Sequence, residues 1–140
     1  MARQQNPSTV VTSSDALRLK QLLEGTVAYQ RDQEYFDNLE QELESASVVS
    51  PEFVPADVVT LNSQISIREI NTGDERIFTL VMPRDTDIER GKVSIMAPLG
   101  IAVLGQRIGD VVEFRVPAGL RKVKITRILY QPEAAGDYQL

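Results

Sequence analysis

The sequence contains no cysteine and no histidine. Without thiols or imidazoles the chain cannot form disulfides, zinc sites built on these ligands, Ser-His-Asp triads or Cys-His pairs. It also has no tryptophan and only four tyrosines and four phenylalanines, so an aromatic-lined pocket is hard to build. These absences exclude many of the common types of catalytic site, and we expect neither a catalytic activity nor a cofactor.

Long apolar runs are also missing. No stretch approaches the length needed to cross a bilayer, and residues 1–12 lack the apolar segment of a signal peptide, so we expect a cytoplasmic protein. Acidic charge is concentrated in residues 1–57, which carry four basic and ten acidic side chains, against eleven and ten in residues 58–140. Because phosphate contacts require Lys and Arg, this distribution disfavours binding to free DNA.

Two amphipathic segments predict helices in the first third of the chain. Residues 1–12 are predicted to be a flexible N-terminus with a short extended piece at residues 9–11. Thr12 and Asp15 have the spacing of a helix start and predict a helix over about 14–24, ended by Gly25. Apolar residues at helical spacing predict a second helix over about 32–47. Because the connection is short, we expect an antiparallel, coiled-coil-like α-helical hairpin over 13–49.

The pattern changes to strands after a proline-containing linker over residues 50–57. Alternation and turn residues predict strands over 64–70, 76–82, 92–95, 111–116 and 120–130, with a short helix between Pro98 and Gly105. Residues 58–140 should therefore form an antiparallel sheet with one short helix, giving an α+β fold overall. The predicted core comprises Val58, Ile65, Ile67, Leu80, Ile95, Leu99, Leu104, Val112, Phe114, Val123, Ile125 and Ile128.

Two segments resemble a known family. Ser94-Ile95-Met96-Ala97-Pro98-Leu99-Gly100-Ile101-Ala102-Val103-Leu104-Gly105, followed by Gly109-Asp110, resembles the C-terminal domain of the Gre transcript-cleavage factors. The segments 58–63 and 130–138 are similar, more narrowly, to the Rnk group, the regulators of nucleoside diphosphate kinase. The resemblance implies an FKBP-like domain over 58–140 that binds RNA polymerase beside its secondary channel, while the helical hairpin reaches inward.

The resemblance also implies where docking takes place. The Gre pattern before the short helix is Asp-Ser-Pro-Leu, and the stretch is implicated in docking to the polymerase rim. This chain has Met96-Ala97-Pro98-Leu99 instead, so Met96, Ala97 and Pro98 are the candidate docking residues. Met96 either offers an adaptable apolar contact to the partner or belongs to the core.

The hairpin tip bears on transcript cleavage. By resemblance, cleavage-stimulating factors use acidic tip residues to help hold a catalytic magnesium ion, and the candidate tip residues here are Tyr29, Arg31, Asp32 and Glu34. Asp32 and Glu34 are two apart, so on a helix they point to nearly opposite sides and cannot converge on one ion. Acidic residues at a helix start are more typically solvated there. We therefore predict no metal site, and a regulator that competes with Gre-type factors without stimulating cleavage.

Other functions stay open. An FKBP-like sheet can host prolyl isomerase activity, although this one has only four aromatic residues, Phe78, Phe114, Tyr130 and Tyr138. Alternatively, the acidic hairpin pairs with another protein, including nucleoside diphosphate kinase itself, and the sequence does not separate a direct effect on that enzyme from a transcriptional one.

A nucleic-acid site on the last strand is the weaker hypothesis. Four basic residues lie there, at positions 121, 122, 124 and 127. Strand alternation divides them between two faces, and no aromatic stacking array accompanies them.

Overall fold

The computed structural model describes residues 9–25 and 33–138, without the side chains of residues 33–36. Within these ranges the chain has an α+β fold, as predicted, with a two-stranded sheet and a curled five-stranded sheet.

Helix α1 comprises Ser13–Gly25 and helix α2 comprises Gln33–Ser45. The predicted start of α1 is confirmed, because the Thr12 hydroxyl oxygen accepts the backbone N–H of Asp15 at 3.0 Å. Leu19 of α1 and Leu39 of α2 are fully buried in the same core as the five-stranded sheet. These short helices therefore draw their stability from packing rather than from propensity alone.

The second helix is shorter than predicted. It was expected to reach Ser47, but Ser47–Val49 forms strand β2, which pairs in parallel with strand β1, Val10–Thr12. The β-branched pair Val48 and Val49 favours an extended backbone. The partner strand lies before α1, so no local pattern indicates the pairing.

The larger sheet contains β3 (Gln64–Glu69), β4 (Glu75–Val81), β5 (Lys92–Ser94), β6 (Val111–Val116) and β7 (Gly119–Tyr130). Its strand order is β5-β4-β3-β7-β6. The β3–β4, β3–β7 and β6–β7 pairs are antiparallel. Short connections over residues 70–74 and 117–118 join β3 to β4 and β6 to β7.

The sheet was predicted to be antiparallel, and this prediction is wrong at the edge formed by β5. This strand pairs in parallel with β4, and Leu80 lies opposite Val93. A tight turn joins only antiparallel neighbours. The segment between β4 and β5 forms two 3-10 turns, Pro83–Asp85 and Ile88–Arg90, which carry the chain back before β5 begins. The sheet is therefore mixed.

Helix α3, Pro98–Val103, begins at the proline, as predicted, and lies close to the sheet. A Cβ on Gly100 would collide with the carbonyl oxygen of Ser94 and lie 3.1 Å from the Cα of Ile95. All but two of the predicted core residues are buried. The exceptions, Phe114 and Ile128, are half-buried and pack against the core.

The N-terminal strand is attached to the end of α3. The Val10 N–H donates to the carbonyl of Gly105 at 3.2 Å, and the Gln106 side-chain amide donates to the Thr9 hydroxyl at 2.9 Å. Gly105 has φ +76°, and a Cβ there would lie 2.8 Å from the Val10 carbonyl oxygen. This close approach requires glycine.

Among the residues the structure describes, no helix is long and apolar enough to cross a membrane.

Candidate functional site

A cleft of about 690 Å³ opens between the start of α3 and the sheet. One part of its lining is apolar, consisting of Ile67, Ala97, Pro98, Leu99, Phe114, Val116 and Val123. The other part is charged and consists of Glu69, Asp74, Glu75, Arg76 and Arg121. An apolar pocket with a few placed charged groups is the usual form of a binding site.

The three predicted docking residues lie at this cleft or next to it. Ala97 and Pro98 line it, and Ala97 is the residue before the first turn of α3. Met96 is half-buried, packs against the core, and donates its backbone N–H to the Ser94 hydroxyl at 3.0 Å. Their role in docking stays a prediction.

The charged part of the cleft is organised by an ion pair. The Arg121 guanidinium donates to both carboxylate oxygens of Glu69, at 3.1 and 3.3 Å. Both side chains are partly exposed, so the pair orients the two groups more than it stabilises the fold. Sequence reasoning missed this pair, and only the pairing of β3 with β7 could have indicated it.

Phe114 is the single aromatic residue among those that line the cleft. Phe78 is buried in the core instead, and Tyr130 donates its hydroxyl to Asp137 at 2.9 Å on the C-terminal turn, which raises the pKa of the tyrosine. The predicted shortage of aromatic residues is therefore a feature of this cleft as well.

The predicted tip residues cannot be placed. Tyr29, Arg31 and Asp32 lie outside the described residues, and Glu34 is in the first turn of α2, where side chains are not described. Among the described residues, no group of three or more acidic side chains is arranged to hold a metal ion.

A second, smaller groove of about 330 Å³ lies between α1 and α2. Its apolar lining is Ala16, Leu23 and Leu43, and its charged lining is Lys20, Glu24, Glu40 and Glu44. The groove is predominantly acidic, in keeping with the charge of this part of the sequence.

A buried carboxylate attaches α1 to the sheet domain. Asp15 is 2% exposed, and its side chain accepts the backbone N–H of Leu61 at 3.0 Å. Burial raises the pKa of Asp15 to about 6, and repulsion from Glu133 acts in the same direction, while the Leu61 amide and Arg18 oppose the rise. The sequence indicated Asp15 only as a helix-start residue.

Comparison with known proteins identifies the family. Residues 54–130 match the family described as transcription elongation factor GreA/GreB, C-terminal, and residues 7–49 match the Rnk N-terminus. A relative from Escherichia coli strain K12, named regulator of nucleoside diphosphate kinase, is 40% identical over 96% of this chain and 98% of its own length. The chain belongs to the Rnk group of the GreA/GreB family.

A solved member of the GreA/GreB family supports the assignment. The structure described as prokaryotic transcription elongation factor GreA/GreB from Nitrosomonas europaea is 40% identical and covers 89% of this chain and all of that one, with a TM-score of 0.73. GreA of Thermotoga neapolitana is 32% identical over 64% of this chain but only 57% of its own length. The candidate cleft lies wholly within the GreA/GreB match, whereas α1 and α2 lie in the Rnk match.

Proposed function

We propose that this protein is a non-catalytic transcription regulator that binds RNA polymerase near its secondary channel and competes with Gre-type factors without stimulating transcript cleavage. The proposal includes a cytoplasmic location and an effect on nucleoside diphosphate kinase levels through transcription. It is supported by membership of the GreA/GreB family, whose members are named transcription elongation factors, and by the name of the Escherichia coli relative.

The observation that carries the proposal is the cleft beside α3. Ala97 and Pro98 form part of its wall, at the position where the Gre resemblance implies docking. An apolar wall next to the Glu69–Arg121 ion pair offers a partner both a surface to bury and two oriented charges to recognise. In this proposal Met96 supports the wall through its packing on the core.

The absence of cleavage activity is supported by the sequence of the helix connection and by helix length. Each helix has 13 residues, which corresponds to about 20 Å. In the sequence, Asp32 and Glu34 are two residues apart. On a helix, residues at this spacing point to nearly opposite sides, whereas a hard cation requires converging oxygens.

A competition assay tests docking. Core RNA polymerase carrying a fluorescent Gre factor is titrated with this protein, and we expect displacement of the factor. Ala97→Glu places a charge on the apolar wall and should weaken displacement at least about tenfold, which corresponds to about 1.4 kcal/mol. Ala135→Glu, an equal change on the exposed C-terminal turn, should displace the factor like the wild type.

Stalled elongation complexes test the second half of the proposal. We expect this protein to leave RNA cleavage at its intrinsic rate while it inhibits cleavage stimulated by an added Gre factor. Stimulated cleavage by this protein alone would contradict the proposal, as would a failure to displace the factor at high excess.

The acidic groove between α1 and α2 favours one alternative, direct binding of another protein such as nucleoside diphosphate kinase. Glu40 and Glu44 rim this groove around apolar Leu43. Titration of purified nucleoside diphosphate kinase against this protein separates the two functions. Binding that Glu40→Lys abolishes, together with no binding to polymerase, would replace the proposal with this alternative.

A further inference from the structure

The face of the five-stranded sheet opposite the cleft carries a group of basic side chains. Along β3, Ile65 and Ile67 point into the core, so Ser66 and Arg68 point to the other face. Arg68 lies opposite Lys124 of β7, which places both side chains on this outer face.

A β-bulge brings Arg127 to the same face. Lys124 and Arg127 are three residues apart, and a regular strand would place them on opposite faces. The pairing of β3 with β7 shifts register between Ser66 and Ile67, so that Arg127 lies opposite Ser66 while Ile125 lies opposite Ile67. The extra residue turns Arg127 to the same face as Lys124. The predicted division of the basic residues between two faces holds for Arg121, which lines the cleft, but the bulge places Arg127 on the face of Lys124.

The three cations Arg68, Lys124 and Arg127, which we call the cationic face, form no ion pair within the described part of the chain. Two acidic residues lie near them: Glu75 is opposite Arg68 on β4, and Glu113 is engaged by Lys122 at 3.3 Å.

Two features of the cationic face are unfavourable for the fold, although Glu75 opposite Arg68 offsets part of the repulsion. Like charges directly opposite on neighbouring strands are destabilising, and Arg68 and Lys124 are such a pair. Ser66 lies between Ile77 and Arg127, and its hydroxyl is the one buried side-chain polar atom in the described ranges without a hydrogen-bond partner. The Ser66 hydroxyl is itself buried, but the three cations without an ion pair are available to an external anion.

We propose that the cationic face binds the phosphodiester backbone of a single-stranded nucleic acid. Three cations on two adjacent strands match a short run of backbone phosphates. An acidic protein partner would meet the same charges and the exposed Ile77 and Val111 beside them. Competition with polyglutamate, described below, distinguishes that partner from a nucleic acid. Recognition is by charge alone, so RNA and DNA of one sequence should bind with similar affinity.

The expected salt dependence follows from counterion release. On single strands each phosphate contact contributes about −0.7 to the slope of log affinity against log salt, so three contacts give a slope of about −2. A rise from about 50 to 200 mM salt should then weaken binding roughly 20-fold. The net charge of −5 makes the interaction weak and confines it to this face.

Fluorescence anisotropy with short unstructured RNA and DNA tests the proposal without polymerase, so its outcome is independent of the competition assay. The variant Lys124→Gln/Arg127→Gln removes two of the three contacts and should make the salt slope less steep by about 1.4. The matched control, Arg84→Gln/Arg90→Gln, removes the same charge from two exposed cations on the 3-10 turns and should bind like the wild type.

A thermal melt verifies the fold of the variants, and Lys124→Gln should not lower the melting temperature because it relieves repulsion from Arg68. The proposal is overturned by no binding at low salt, by a salt-independent affinity, or by an equal loss in the control variant. It is also overturned if polyglutamate competes as effectively as RNA, which would assign the face to an acidic protein.

Discussion

Replacing the buried carboxyl of Asp15 with an amide should make the protein more stable at neutral pH. The native carboxyl keeps its proton up to about pH 6, whereas an unperturbed aspartate releases it near 3.8. Between these values the native state binds more protons than the unfolded state, so rising pH lowers the free energy of unfolding. This decrease in the free energy of unfolding is complete above about pH 6 and amounts to about 3 kcal/mol for a shift of about two pKa units.

Asp15→Asn removes this charge and retains an oxygen that can accept the Leu61 N–H. At pH 7 the variant should exceed the wild type by up to about 3 kcal/mol, and below about pH 4 the two should converge. Urea unfolding at a series of pH values measures the difference. Asp85→Asn, at an exposed position on a 3-10 turn, changes the net charge equally and serves as the control.

The reasoning would be refuted if Asp15→Asn were the less stable protein at pH 7. That result would mean that the Leu61 amide and Arg18, 3.6 Å away, outweigh the burial of the charge. A stability difference that does not change between pH 4 and pH 7 would equally remove the carboxyl as its cause. Asp15→Ala is a separate case, because it leaves the buried Leu61 N–H without an acceptor and should lower stability by about 1–3 kcal/mol.

Three further substitutions test the packing, each by the shift of the urea midpoint. Gly105→Ala should lower stability by at least about 2 kcal/mol, since its φ is positive and the new Cβ meets the Val10 carbonyl; an unchanged midpoint would disprove that close approach. Gln131→Leu should lower it by about 1–3 kcal/mol, because the buried Val58 carbonyl loses its donor at 2.7 Å; a neutral effect would mean that another donor replaces the amide. Leu39→Ala should lower it by about 2–5 kcal/mol, and a loss below about 1 kcal/mol would contradict the full burial of this side chain.

Local chemistry made much of the fold predictable. Thr12 caps α1 and Pro98 begins α3 because each effect depends on neighbouring residues alone. Strand β6 also has its predicted bounds, since alternation between its two faces is a property of the strand itself.

Features that depend on distant pairing could not be predicted in this way. Strand β2 forms because β1 lies beside it, and β5 is parallel to β4 because the connecting segment carries the chain back. The bulge that turns Arg127 to the outer face is a mismatch between two strands, and neither strand shows it alone. The same limit applies to the cleft, where Ala97 and Pro98 were found by resemblance but the Glu69–Arg121 pair depends on register.

The helices α1 and α2 share one hydrophobic core with the five-stranded sheet, and this limits which experiments can test the two parts separately. The Rnk and GreA/GreB matches meet between residues 49 and 54, yet Leu19 and Leu39 lie in the same buried cluster as Ile65 and Ile125. Helices of 13 residues are marginal in isolation, and removal of the sheet would expose both leucines to water. Truncation would therefore unfold the helices as well as remove the cleft. Substitutions at exposed positions of the intact chain are the means to test docking and nucleic-acid binding independently.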